Sequence, residues 1–530
     1  MKQFKIEQPM EKMEKMMEQN EIDNELFEKS AIKEDEQQKY LLTIFPLHSQ
    51  QITIVNREYL VNKFNENFDN YLTNLLYQNI YHKKEFERKR EAALGQINAI
   101  VDNWSNKHAR LLISGSLLLD VHTIGSDVNL FCVAPGERLK LSDFMGSDKN
   151  GKCLENKCTS EEADDAKSLF CQICEDKSTA NLIKIESASI LLIRFAFDGI
   201  EFDISFVAVP KLETLAQKID ENELKSLLEH FDWSVNEQKH MLRSLSSFRS
   251  TLYIFNLFYK EAQQNVNELN ESRKTFQNLL ITLKIWAKNN YIYSNKIGFL
   301  NGIALAIMVA KIVLIYPNST LPFLLDKFFL FYFARHPQIP IQLTKGNDIS
   351  ANANLFLSDA RELEMPVLTP TSPLIRRQMF DALNQISSMK NRQFELDALL
   401  KNSIPFSQKF HNFIVINCVA EDKEEADAFW GGGIETHLYP NVYQENCILT
   451  QKLVQISFRA NHCKIWLLGI YGKNAISERI TAMAQSFDMT IKRHYFLKKV
   501  ENANIRNIDD FFNTTKIELK SIMAKKEELI

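Results

Sequence analysis

The stretch that most constrains this chain is Gly115-Ser116-Leu-Leu-Leu-Asp-Val-His-Thr-Ile-Gly-Ser-Asp127-Val128-Asn129, which follows the apolar run Leu111-Leu112-Ile113. A Gly-Ser pair at the end of a buried strand lets backbone amides and a hydroxyl approach a phosphate, because glycine has no side chain to hold a ligand away. Asp-x-Asn then sets two oxygen-bearing side chains on one face of the next strand, since successive residues point to opposite faces. The combination suggests phosphoryl or nucleotidyl transfer assisted by a divalent cation. Asn129 stands where a two-metal centre needs a second carboxylate.

A chain of 530 residues exceeds one ordinary domain, and 45% apolar and 25% charged residues suit several packed cores. A net charge of -4 excludes a global polyanion-binding signature, so any RNA contact needs a local basic patch. The sequence has no apolar run free of charges that is long enough to cross a bilayer, and residues 1–20 lack the apolar core of a signal peptide. An intracellular protein with eight reduced cysteines is expected.

Residues 1–40 read as a charged leader, followed by packing helices over Tyr59–Leu76 and Phe86–Trp104. Leu130 to Ala134 completes a buried strand that Pro135-Gly136 ends, and a polar segment near 146–165 reads as a surface insertion. Ser189 to Val209 predicts a hairpin turning at Asp198-Gly199, with Asp203 pointing away from its neighbours Phe202 and Ile204. Two roles fit Asp203: an edge-strand charge facing water, or a third metal ligand held beside Asp127. Beyond Pro210 the pattern turns helical, with segments at Phe248–Phe258, Phe276–Lys288, Gly302–Tyr316 and Phe323–Phe333. Pro366, Pro370 and Pro373 mark a boundary, after which a helix (Arg376–Leu400) and strands (Phe413–Val419, Cys463–Ile470) suit a small α+β module.

Two further patterns each admit a plain alternative. Cys153-x4-Cys158-x12-Cys171-x2-Cys174 has zinc-like spacing, yet Leu169-Phe170-Cys171 resembles an apolar helix face, which favours core thiols. The basic pairs Arg376-Arg377, Lys390/Arg392 and Lys492-Arg493 suit RNA phosphates or simply solvated faces.

Several segments, in order along the chain, resemble the eukaryotic nuclear poly(A) polymerases of the DNA polymerase beta-like nucleotidyltransferase superfamily. They are Val121-His-Thr-x-Gly-x-Asp127, Cys132-Val-Ala-Pro135, Ser142-Asp-Phe144, Phe197-Asp-Gly-Ile-Glu-Phe-Asp203, Arg243-Ser-Leu245 with Arg249, and Leu283-Lys-Ile-Trp-Ala-Lys-Asn-Asn-Tyr-Ile-Tyr-Ser-Asn295. Gly298-Phe-Leu, Met308-Val-Ala310, Leu314-Ile-Tyr-Pro-Asn318, Lys327-Phe-Phe329 and Met365-Pro-Val-Leu-Thr-Pro370 continue the series.

The resemblance implies an α+β fold of three domains: a mixed-sheet palm, a helical middle domain and a C-terminal RNA-binding-like module. The expected division is a leader at 1–40, N-terminal helices at 41–75, the palm at 76–210, the middle domain at 211–362, the C-terminal module at 363–500 and a charged helical tail at 501–530. It implies metal ligation by Asp127 and Asp203, with the third ligand position falling on Asn129. Ser114, Gly115, Ser116 and Thr123 would line the nucleotide phosphates, with Lys284, Lys288, Tyr293, Gly302 and Ile303 contacting nucleotide from the helical side. Magnesium or manganese as metal, ATP as substrate, the RNA 3′ end and mRNA 3′-processing factors as partners, a monomer and a nuclear location follow from the same resemblance. An amide at 129 removes a charge, cannot bridge two ions and cannot act as a base, so weak or absent AMP transfer is expected, or a role in binding RNA, nucleotide or an active partner.

Overall fold

The computed structural model describes residues 85–122, 126–146, 153–154, 157–158, 167–185, 191–232, 235–259, 266–293, 299–334, 341–343, 354–355, 372–389, 399–400, 412–420, 448–457, 462–471 and 517–525. The charged leader, the expected helix at Tyr59–Leu76, Thr123 and the proline-rich boundary lie outside the described residues.

The palm begins with a helix, α1 (residues 85–104), whose Ala93, Ile97 and Val101 are buried at near-helical spacing. Strand β1 (Arg110–Ile113) leads into a single turn, α2 (Gly115–Leu118), and then β2 (Val128–Pro135). Helix α3 (Leu141–Met145), the two-residue strands β3 (Cys153–Leu154) and β4 (Lys157–Cys158), and helix α4 (Leu169–Glu175) fill the connection to β5 (Thr179–Ile185). β6 (Leu192–Phe197) and β7 (Ile200–Val209) form the expected hairpin, with Asp198 and Gly199 at φ 49° and 78° in its turn. The five-stranded sheet has the order β1-β2-β7-β6-β5, and only β2 and β7 among its pairs run parallel. It is therefore a mixed sheet within an α+β architecture, as expected.

Alternation sorts the sheet residues into two cores. Val128, Leu130, Cys132, Phe195, Phe202 and Ile204 pack on α1 and on Phe144. Phe131, Val133, Val207 and Val209 face the other way, onto α5 (Glu221–Glu229) and α6 (Asn236–Tyr259). Where β2 ends, Gly136 donates to the Val209 carbonyl, and a Cβ there would lie 2.6 Å from that oxygen, so only glycine fits.

Helices α7 (Val266–Asn289), α8 (Gly302–Ile315) and α9 (Leu321–Ala334) build the middle domain around Trp286, Leu305, Phe328 and Phe329. The short strands β8 (Ile341–Gln342) and β9 (Asn354–Leu355) pair with each other, and α10 (Ser372–Met389) adds Leu374, Met379 and Leu383 to the same core. Leu119 and Val121, from the palm turn after α2, belong to this core as well. No described helix is long and apolar enough to cross a membrane.

The C-terminal part contains a four-stranded antiparallel sheet in the order β11-β12-β10-β13, from β10 (Asn412–Ala420), β11 (Ile448–Ser457), β12 (His462–Tyr471) and β13 (Ile517–Lys525). Two expectations need correction. Residues 517–525 of the supposed helical tail form β13, because Ile517-Glu-Leu-Lys alternates with period two and β10 offers an unfilled edge. Cys171 is disulfide-bonded rather than reduced, while Cys132 and Cys174 are free thiols. Strand β4, which carries Cys158, packs beside α4, which carries Cys171 and Cys174.

Candidate functional site

The site is built on a row of residues across the palm sheet. Asn129 of β2 is the Cα partner of Asp203 on β7, and Asp203 is the partner of Arg194 on β6. Directly paired residues share a sheet face, so the three side chains lie side by side. At the other end Ser114 donates its amide to the Asn129 carbonyl at 3.0 Å. Gly115 has φ +63°, and a Cβ on it would sit 3.7 Å from Asn129 Nδ2, so the left-handed glycine lays its backbone against Asn129.

Asp203 is only 6% exposed, and its charge is answered by Arg194. Arg194 Nε donates to Asp203 Oδ1 at 2.7 Å and Nη2 to Oδ2 at 2.8 Å, a fork-to-fork pair that engages both carboxylate oxygens. Neither sequence reading of Asp203 was an ion pair within the sheet.

Facing this row from the middle domain, Lys284 and Lys288 stand one turn apart on α7. Lys284 is 7% exposed, with its ammonium 3.5 Å from the Ser126 hydroxyl. Burial first, then the Lys288 charge, push its pKa down to about 8, against the pull of Asp127. Lys288 lies 5.5 Å over the ring of Tyr293, whose phenol is pushed up by burial and by Asp127. The Tyr293 hydroxyl comes so near Gly302 that a Cβ there would be 3.1 Å away. Asn301 caps α8 by accepting from the Ala304 amide at 2.8 Å, which presents Gly302 at the start of the helix. Ile303 packs partly buried on the middle-domain core. Asp127, Lys284, Lys288, Tyr293 and Gly302 therefore converge between palm and middle domain.

Two of the glycine-turn residues are turned inward. Ser114 is 2% exposed, and its hydroxyl donates to Thr251 Oγ1 on α6 at 3.4 Å. Ser116 Oγ lies 3.3 Å from His122 Nδ1, and His122 stacks on Phe86. Burial, with help from Arg90 and Lys284, pushes the His122 pKa down to about 4, so the ring is neutral near neutral pH.

The donor set does not fit a pair of divalent ions. Among the described residues no group of three or more His, Cys, Asp or Glu side chains is placed to hold a metal. Position 129 supplies a neutral amide, and both oxygens of Asp203 are engaged by a guanidinium. Separating a buried pair of this kind costs about 3 kcal/mol or more, because the remaining charge stays desolvated.

Comparison with known proteins follows the same outline. Residues 275–408 match the model of the poly(A) polymerase central domain. Nuclear poly(A) polymerase 1 of Arabidopsis thaliana is 24% identical over 392 residues, covering 68% of this chain and 49% of that protein. The poly(A) polymerase of Dictyostelium discoideum is 26% identical over 396 residues, covering 68% and 43%. Over these residues the chain is similar to the poly(A) polymerases. It spans about half the length of the curated family relatives it matches. A solved structure of the RNA terminal uridylyl transferase Cid1 aligns with a TM-score of 0.40 at 15% identity, covering 63% of this chain and 99% of that one.

Three contributors to the site are not visible in the sequence. Arg194 becomes visible only once β6 and β7 are in register. His122 lay within a matched segment but carries no pattern of its own. Asp120, at φ 52°, accepts from Arg273 Nη2 and from Gln277 Nε2, both at 3.1 Å, and so ties the glycine turn to α7.

Proposed function

We propose that this chain binds ATP between palm and middle domain and RNA through its C-terminal module, with transfer of AMP to the RNA 3′ end weak or lost. The observation that carries the reading is Asn129, an amide paired in register with Asp203 at the centre of the palm row. Transfer requires the RNA 3′-hydroxyl to lose its proton and attack the α-phosphate as pyrophosphate leaves. Asn129 has no basic oxygen to receive that proton, and Asp203 is committed to Arg194. What remains is binding chemistry: Lys284 and Lys288 as compact cations for a triphosphate, the Gly115 turn as a close backbone approach, and the Tyr293 phenol beside Gly302. Divalent metal in the family reaction supplies charge neutralisation at the phosphates, and here Asp127 alone retains an unmodified ligand position. Nuclear residence belongs to the same proposal and rests on the names of the plant relatives, while association with 3′-processing factors rests on the resemblance in sequence alone.

The test is a primer-extension assay with ATP and Mg²⁺ or Mn²⁺ on the natural chain and on Asn129→Asp with and without Arg194→Met. The expected result is trace tailing by the natural chain, rising about 100-fold or more only when Asn129→Asp is combined with Arg194→Met, which frees Asp203. Robust tailing by the natural chain overturns the proposal. Silence in Asn129→Asp, with ATP still bound, places a second block at the Arg194–Asp203 pair.

A further inference from the structure

The palm row answers its acidic positions with the protein's own cations. Asp203, buried, is gripped by Arg194 at 2.7 and 2.8 Å through both oxygens. Asn129 contributes no charge. Asp127 acts electrostatically on Lys284, which in turn feels Lys288. Two carboxylates thus stand among three cations, of which Arg194 and Lys284 are held in place. A two-metal centre is arranged the other way, with excess carboxylate that draws divalent ions, and the ions then draw phosphates. Here the sign of the cleft is already the one that polyphosphate seeks, and a divalent ion would have to displace a guanidinium from a desolvated carboxylate before gaining a second ligand.

We propose that Arg194 stands in for the metal at this site, so that the cleft binds a nucleoside triphosphate without a divalent cation. The proposal rests on the nucleotide-binding reading above, and it adds that the bound form is the metal-free nucleotide. Arg194 acts as a positioning residue: it neutralises Asp203, which would otherwise repel the triphosphate or recruit metal. Lys284 and Lys288 then meet the phosphates directly. Arginine suits this role because its planar fork satisfies both carboxylate oxygens at once and it stays charged at all relevant pH values.

The test uses the full chain and a fluorescent ATP analogue titrated in Mg²⁺ and, separately, in EDTA, with Mn²⁺ binding read by electron paramagnetic resonance. The expected result is an affinity unchanged within about twofold on chelation and no tight Mn²⁺ binding. Arg194→Met should make nucleotide binding weaken about tenfold or more in EDTA relative to Mg²⁺, and Arg194→Met with Asn129→Asp should acquire a Mn²⁺ signal. Arg194→Lys, which keeps the charge and guards against a simple folding defect, should retain chelator-insensitive binding. A natural chain that loses nucleotide about tenfold on chelation, or binds Mn²⁺ tightly, overturns the inference while leaving the nucleotide-binding reading intact. A natural chain that binds no nucleotide in either buffer overturns both.

Discussion

At the scale of single residues, the site is governed by what burial does to charge. Lys284 has its pKa lowered from 10.5 to about 8, so its ammonium is retained only below that value. Affinity for ATP is therefore expected to fall as pH rises through about 8, and Lys284→Met should remove that dependence in a titration series. The same group affects stability with a defined sign. Between about pH 8 and 10.5 the unfolded chain holds the proton that the folded chain has released, so Lys284 makes the fold more stable as pH rises across that window. His122 works in the acid range: its pKa falls from 6.5 to about 4, so the unfolded state protonates first and stability drops as pH falls from about 6.5 to 4. Denaturant melts at stepped pH should show this acid slope flattened in His122→Gln. The placement of Asn129 and Asp203 on paired strands was legible in the sequence because glycine and strand alternation leave marks in the order of residues. The Arg194 partnership was not, because a cross-strand pair exists only after the hairpin register is set at Asp198-Gly199.

At the scale of elements, the turn between α2 and β2 is held by the middle domain. Asp120 sits in the left-handed region at φ 52° and is tied to Arg273 and Gln277, while Tyr259 donates its hydroxyl to the Leu119 carbonyl and receives Gln277 Nε2 at 3.1 Å. Asp120→Ala should cost about 1 kcal/mol or more, since it loses the side-chain ties and keeps the strained backbone. Asp120→Gly should be closer to neutral, because the relieved φ offsets a half-exposed ion pair that contributes little. Thermal melts of the two variants compare these terms directly. At the next junction, Asn301→Ala removes the cap on α8 and is expected to cost about 1 kcal/mol in the same assay. Most of these elements could be read in advance: the apolar stripes of α6 to α9 fall where their periodicity put them. β13 could not, because its period-two alternation is confined to Ile517–Lys520 and its partner β10 lies far back in the chain. Long-range pairing decides such segments, and local pattern does not.

At the scale of the whole molecule, palm and middle domain share buried residues. Leu119 and Val121 leave the palm to pack in the same core as Trp286, Leu305 and Phe329. Their unfolding should consequently be coupled, and fluorescence and circular dichroism should report one coincident transition for both domains. Separate transitions would show that the shared core is energetically slight. The mixed sheet and the apolar helices were legible in their periods of two and near four, whereas the interlock was not, since Leu119 and Val121 look like ordinary turn residues in sequence. The parallel pairing of β2 with β7 carries one further consequence, for folding kinetics. The row Asn129–Asp203 closes only when β7 docks between β2 and β6, after the whole connection with α3, the cysteine hairpin and α4 has been spanned. Because the entropy of closing a loop grows with the logarithm of its length, doubling that connection costs only about 0.6 kcal/mol. The cysteine-bearing insertion can thus be carried at little cost to equilibrium stability, while the late, non-local closure makes assembly of the Asn129–Asp203 row one of the slow steps in folding.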